Sequence, residues 1–320
     1  MAAFPADRSL AALTRKTLVA PRLKVLYTPT TKVASTTIKW MLARAEGSLN
    51  ESVIPRLMAA ITNRSQTIHN RHVSGLAKLS EYSEREARAM LDSHDWLHIA
   101  ALRDPVARAY SAWENRIFMR ASGRVAGGFD LTPDVLVDGR IDMTATFARF
   151  ATALTEHTDA FMLDHHFTPQ SHLVRKDAVR YDVLVRVDEA GGIDRIASAL
   201  RERGGGDVTA TRQNESMGVA LDAVCDQHTA NRLMATYAAD YEAFGFARRE
   251  FAANLAPYVL SDSETQLVTL VRQSVERVGS VSRAAQSKMS ARYGLRQIRK
   301  SFLRKVSFGR MYSTPRSMHW

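Results

Sequence analysis

Three times in the first two hundred residues a short apolar run gives way to a stretch with helical spacing. "RLKVLYT" (22–28) precedes "STTIKWMLARAEG" (35–47), "WLHIAALRDP" (96–105) precedes "VARAYSAWENRIFMR" (106–120), and "YDVLVRVDE" (181–189) precedes a helical pattern to about Arg203. Successive strands separated by helices pair in parallel, because a parallel return needs a crossover of helix length, and the helices then cover both faces of the sheet. The expectation is therefore an α/β fold with a mostly parallel central sheet. Punctuation agrees: Gly47 is placed to end the first helix, Ser83 and Glu86 have capping-box spacing, and Pro105 stops the second strand. Residues 144–157 and 219–243 carry further helical spacing, the latter reading as one long helix, with a Gly-rich loop at 121–130 and an irregular stretch around Pro169.

A chain of 320 residues with 45% hydrophobic content can bury a full core. Its single cysteine, Cys225, excludes an intrachain disulfide and reads as a small buried apolar residue. Asp7 and Arg8 interrupt the N-terminus too early for a signal peptide, and no window approaches a membrane span, so the expected location is cytoplasmic. The net charge of +11 is unevenly spread. Residues 265–320 hold 12 Lys/Arg against Glu276 alone, so they carry +11 and the preceding 264 residues sum to zero. The boundaries read as an N-terminal extension (1–21), a main domain (22–257) and a basic helical C-terminal extension (258–320).

The loop between the first strand and helix concentrates one chemistry. A helix N-terminus offers unpaired N–H groups and the positive end of its dipole, which suits phosphate. Ser35, Thr36 and Thr37 add hydroxyls and Lys32 an ammonium. The glycines of the Walker pattern are missing, which disfavours an ordinary ATPase or GTPase. At the end of the next strand stands Arg103, with Ser111 eight residues on, and a guanidinium and a hydroxyl can close on a second anion. Arg108 reads as doing similar work or pairing with Glu114 on the helix surface, the surface role being favoured. Arg103 and Asp104 also suit a plain ion pair. Two anion sites on neighbouring strand ends fit a nucleotide with phosphates at both ends.

Lys32-Val33-Ala34-Ser35-Thr36-Thr37 resembles the 5′-phosphosulfate loop, and Arg103-Asp104-Pro105 with Arg108 and Ser111 the 3′-phosphate motif, of the PAPS-dependent carbohydrate sulfotransferases, a family that includes Golgi-type and heparan 2-O-sulfotransferases. PAPS is 3′-phosphoadenosine 5′-phosphosulfate. "IHNRHVSGL" (68–76), "LSEYSEREARAML" (79–91), "DHHFTPQSHLV" (164–174), "YDVLVRVDE" and "YAADYEAFGF" (237–246) match in order, so the resemblance covers about residues 22–246. It implies a P-loop-like sheet and in-line sulfuryl transfer from PAPS to a carbohydrate or glycolipid hydroxyl, with no metal required. Lys32 would neutralise the leaving phosphate, Ser35, Thr36 and Thr37 would hold it, and Arg103 and Ser111 would bind the 3′-phosphate. The "HNRHVS" segment is similar to the family's H-x-H-V-S stretch, which implies His72 as general base, with His69 the other candidate. The chain is expected to depart from Golgi members in lacking an N-terminal anchor, and it replaces their cysteine-containing stretch after Pro-Gln with "SHLVRKDAVRYD".

Three features stand outside that pattern. Asp164, His165 and His166 contain metal-ligand types, but adjacent histidines on a strand diverge, and a loop-fixing role with Pro169 and Gln170 is expected. Lys39 reads equally as an acceptor contact or a solvated lysine. In "GLRQIRKSFLRKVSFGR" (294–310) an apolar stripe of Leu295, Ile298, Phe302 and Val306 faces Arg296, Lys300 and Arg304, which suits a packed terminal helix or peripheral contact with an anionic membrane; nucleic acid is disfavoured by the absence of a binding motif. The rival classes are an atypical nucleotide kinase or phosphotransferase, and a non-catalytic anion- or membrane-binding protein.

Overall fold

The chain enters through α1 (Leu10–Thr14) and β1 (Leu18–Ala20), then lays down β2 (Val25–Thr28), every residue of which is buried. These are features of a computed structural model that describes residues 10–55, 64–120, 132–210 and 217–289, with side chains described to residue 281. From β2 the chain passes through the expected loop into α2 (Ser35–Glu46), which Gly47 ends in the left-handed region at φ 76°, its N–H returning to Ala43 O and Arg44 O. Next come α3 (Arg71–Ser74), β3 (Ala77–Lys78) and α4 (Glu84–Asp92). The Ser83–Glu86 capping box forms in both directions, satisfying two donors that the helix start would otherwise strand.

The strand β4 (Leu97–Leu102) leads into α5 (Pro105–Trp113), with Pro105 at its first turn and Asp104 as its N-cap, and a π-helical turn follows over Glu114–Phe118. A small hairpin of β5 (Leu136–Val137) and β6 (Arg140–Ile141) opens into α6 (Met143–Glu156) and α7 (Thr158–Met162). The stretch around Pro169, expected to be irregular, contains a short helix, α8 (Gln170–Val174). Then β7 (Val183–Arg186) and α9 (Gly192–Glu202) complete the third strand–helix pair.

Five strands form one sheet in the order β3-β1-β2-β4-β7, with β2, β4 and β7 parallel and β1 antiparallel to both neighbours. This is the mostly parallel, P-loop-like α/β architecture expected. The period-2 geometry of strands sorts its residues between two cores. Val25, Tyr27, Ile99 and Ala101 pack with Ile38, Trp40 and Met41 of α2 and Ile196 and Leu200 of α9. On the opposite face Leu26 joins Val19, Leu79 and Ala87, while Ala100 and Leu102 join Val174 and Phe246. A third, aromatic core gathers Trp113, Phe118, Phe147, Phe150, Phe161 and Phe167, with ring centroids 5.0–6.3 Å apart. Cys225 is buried there, as expected.

The long helix read over 219–243 is three pieces: a 3₁₀ turn at Leu221–Ala223, α10 (Gln227–Thr236) capped by Asp226, and α11 (Ala238–Phe244). The break falls at Tyr237, at φ −101° and ψ 24°, whose ring is buried and whose hydroxyl donates to Phe167 O at 2.9 Å. Apolar spacing carries across the break because both pieces face the same core. The last element is α12 (Asp262–Met289). One compact unit runs from Met1 to Arg272, and Leu260 and Val268 are buried in its aromatic core; the second unit is Gln273–Trp320. The Gly-rich stretch 121–130 and the amphipathic stretch 294–310 lie outside the described residues. Among the described residues no helix is long and apolar enough to cross a membrane.

Candidate active site

The loop leaving β2 turns without glycine. Lys32 and Ala34 take the left-handed conformation at φ 63° and 56°, which costs an L-residue roughly 1–2 kcal/mol each. Ala34 is also the N-cap of α2 and supplies no capping side chain, so the first-turn amides are left for another acceptor. Ser35, Thr36 and Thr37 form that turn, Thr36 and Thr37 being buried.

Arg108 pins the loop from the protein interior. It is 1% exposed, and its guanidinium donates to Thr31 O (3.0 Å), Thr31 Oγ1 (3.2 Å), His165 O (3.3 Å) and Thr168 O (2.9 Å). The favoured reading of Arg108 as a surface residue paired with Glu114 is therefore corrected: a five-donor fork is the side chain that can satisfy carbonyls from two loops at once. Thr31 Oγ1 donates to His165 O at 3.0 Å, so the lysine loop and the turn at 164–168 are joined directly.

Lys32 lies among Arg103, Arg108 and Arg116, with Glu114 the opposing carboxylate. Burial pushes its ammonium down to about 8; Glu114 opposes this, and the three arginines reinforce it. Arg103 sits one residue past β4, half-buried, and its Nη1 reaches Lys32 O at 3.5 Å. Its backbone is clamped by Gln170, whose Oε1 accepts from Arg103 N (2.9 Å) and whose Nε2 donates to Arg103 O (2.8 Å). Asp240, fully buried, accepts from the N–H groups of Gln170 and Ser171 at 2.8 and 2.7 Å. Asp104 is occupied as a helix cap, accepting from Ala107 N at 2.8 Å, with Tyr241 Oη at 3.4 Å, so it is not a dedicated partner of Arg103. Ser111 stands two turns into α5, half-buried; among the described residues no hydrogen bond links it to Arg103.

The two candidate histidines separate. His69 is at the loop, its Nε2 3.3 Å from Thr36 Oγ1 and its Nδ1 3.0 Å from Lys39 Nζ. Burial, then Lys39 and His166, lower its pKa to about 4, so the ring is neutral at pH 7. His72 is on the exposed side of α3, its backbone N–H taken by Asn70 Oδ1. The geometry thus moves the site's histidine from His72 to His69, because Asn70 caps a four-residue helix that turns His72 to solvent. Lys39 stands beside His69 and is not a freely solvated lysine; burial and then Lys78 lower its pKa to about 8.

Opposite the loop lies a group read as loop-fixing. Residues 164–168 are a turn and not a strand, so the rings of His165 and His166 do converge, with centroids 4.4 Å apart, and one ligand-type atom from each of Asp164, His165 and His166 falls within 4.8 Å of the others. Both carboxylate oxygens of Asp164 are already engaged: Arg116 donates to Oδ2 from Nη2 (2.7 Å) and Nε (3.0 Å), and His166 meets Oδ1 through Nδ1 (2.6 Å) and its backbone N–H (2.9 Å). The pattern "DHHFTPQ" marked this segment, but Arg116 gave no signal, being one arginine among many on a helical stretch.

Residues 15–247 match the family described as "Sulfotransferase family". No curated protein and no solved structure matches the chain.

Proposed function

Because this chain belongs to the sulfotransferase family, whose general chemistry is sulfuryl transfer, we propose that it moves the sulfuryl group of PAPS to a hydroxyl of a carbohydrate or glycolipid. The observation that carries this reading is the uncapped N-terminus of α2, with Lys32 beside it and Arg103 at the next strand end. The unclaimed amides and the hydroxyls of Ser35, Thr36 and Thr37 hold the 5′-phosphate. The Lys32 ammonium meets the charge that grows on the bridging oxygen as the S–O bond breaks. Arg103 and Ser111 receive the 3′-phosphate, which separates PAPS from ATP. Sulfuryl transfer resembles loose phosphoryl transfer, so positioning and charge stabilisation supply most of the catalysis.

Lys39 and His69 line the acceptor side. The Lys39 ammonium can only donate, so His69 Nδ1 accepts and Nε2–H donates to Thr36 Oγ1. In this arrangement His69 is a neutral positioning residue. The basic segment near the C-terminus is proposed to hold the protein against an anionic membrane surface on its cytoplasmic side, which suits a lipid-linked acceptor.

Calorimetric titration with 3′,5′-ADP, 5′-AMP and ATP, repeated on Arg103→Ala, tests the donor. Tight binding of 3′,5′-ADP that weakens at least tenfold, about 1.4 kcal/mol, on losing the 3′-phosphate or Arg103 is expected. Equal affinity for AMP, or preference for Mg-ATP, sinks the reading.

A further inference from the structure

The transfer needs a proton acceptor for the attacking hydroxyl, and neither expected histidine offers a free lone pair at the loop. His72 faces solvent, and both ring nitrogens of His69 are engaged. His166 is different. Its Nδ1 stands 2.6 Å from Asp164 Oδ1, and that carboxylate is held ionised by two hydrogen bonds from Arg116, so Nδ1 carries the proton and Nε2 the lone pair. Among the described residues Nε2 makes no hydrogen bond. The ring is mostly buried, with 19% of the side chain exposed. Its turn is tied to the Lys32 loop by Thr31 and Arg108 through His165 O.

We propose that His166 is the catalytic proton acceptor of this enzyme, with Asp164 and Arg116 as the residues that position and support it. The inference rests on the sulfuryl-transfer reading. As the acceptor oxygen bonds to sulfur and the bond from sulfur to the bridging oxygen breaks, the hydroxyl proton passes to His166 Nε2. Asp164 stabilises the imidazolium, Lys32 the departing phosphate, and the proton is later released to water. An oriented carboxylate–histidine pair is the arrangement that serves a nucleophile's base in other hydrolytic and transfer sites. Electrostatics agree. Burial lowers the His166 pKa, Asp164 opposes that shift, and Arg116 and Lys32 reinforce it, so the ring is neutral at pH 7. For Asp164, burial acts upward, but the hydrogen bonds from His166 and Arg116 hold its carboxyl well below the usual range.

The test uses the full chain, PAPS as donor and a pool of polysaccharides and glycolipids as acceptor, water being the acceptor if the pool yields none, with 3′,5′-ADP release as the readout. His166→Asn keeps a donor for Asp164 and removes the Nε2 lone pair. It should slow release at least about a hundredfold while leaving 3′,5′-ADP affinity within about threefold. Exogenous imidazole should restore at least about tenfold to His166→Gly, which a structural role would not allow. The acid limb of the rate profile should lie below pH 6.5, shaped by Asp164, Arg116, Lys32, His69 and His165 around the ring, and should move lower still in Asp164→Asn, which removes the partner that raises the His166 pKa. Near-full activity of His166→Asn, loss of nucleotide binding in it, or removal of the acid limb by His69→Asn and not by His166→Asn would overturn the assignment and leave the donor reading intact. Failure of the unaltered chain to bind 3′,5′-ADP would instead overturn the donor reading, and the assignment with it.

Discussion

Lys32 and Arg108 show how one residue type in one place sets the behaviour of the site. With its pKa near 8 in the free protein, Lys32 is charged at neutral pH and begins to lose that charge just above it. A bound phosphate favours the charged form and raises the pKa, so binding takes up a proton above pH 8. Affinity for 3′,5′-ADP should be flat from pH 7.5 to about 8 and then fall, by at most about tenfold per pH unit, until the pH passes the pKa of the complex. Titrations between pH 7.5 and 9.5 check this, and Lys32→Gln should flatten the curve. Arg108 carries a different load, satisfying three carbonyls and a hydroxyl from inside the protein. Lysine lacks the fork, so Arg108→Lys should cost about 3 kcal/mol or more in urea unfolding and weaken 3′,5′-ADP binding with it. Loss of binding at unchanged stability would contradict a clamping role and place Arg108 on the ligand. The local sequence put Arg108 in the strand-end motif but did not mark it as buried, because its partners at 31, 165 and 168 are distant along the chain.

At the scale of elements, side chains cap several helix starts, whereas the N-caps of α2, α7, α9 and α11 make no side-chain hydrogen bond, and of these α2 is the helix that follows the lysine loop. Asp104, Asp142 and Asp226 each accept from an N–H three residues on, and Ser83 exchanges hydrogen bonds with Glu86. Ala34 does none of this at α2. Ser83→Ala should lower stability by about 1 kcal/mol and leave nucleotide affinity unchanged, read by thermal unfolding beside calorimetry. Asp240 caps from a distance: it holds the start of α8, and α8 holds Arg103 through Gln170. Asp240→Ala should therefore cost about 2 kcal/mol and also weaken 3′,5′-ADP binding, a coupling absent in Ser83→Ala. The strand–helix pairs and the Ser83 box were legible because their causes are local. The break at Tyr237 was not, since the residue leaves the helix to reach Phe167 seventy positions away.

For the molecule as a whole, charge and packing are separated along the chain. Residues 265–320 carry the entire net charge of +11, yet Arg272 among them is buried, donating to Phe118 O and to both oxygens of Asp134. The start of α12 is thus structural, and the surface role proposed for the basic segment falls to the residues beyond it. A chain ending at Met289 should bind 3′,5′-ADP within about threefold of the full chain but lose cosedimentation with vesicles rich in phosphatidylserine, each basic residue near such a surface contributing about 1 kcal/mol. Retained vesicle binding would move the contact elsewhere. Local sequence alone was enough for the α/β architecture, the lysine loop at the head of a helix and the cationic strand end, because strand period and helix spacing are set by neighbours within a few residues. Long-range packing is what puts His69 and not His72 at the loop, buries Arg108 as a clamp, and joins Asp164, His166 and Arg116 in one hydrogen-bonded group. Those arrangements join the loop at 31, the π-helical turn at 116 and the turn at 164–166, and packing of the sheet and the aromatic core is what brings them within hydrogen-bonding distance.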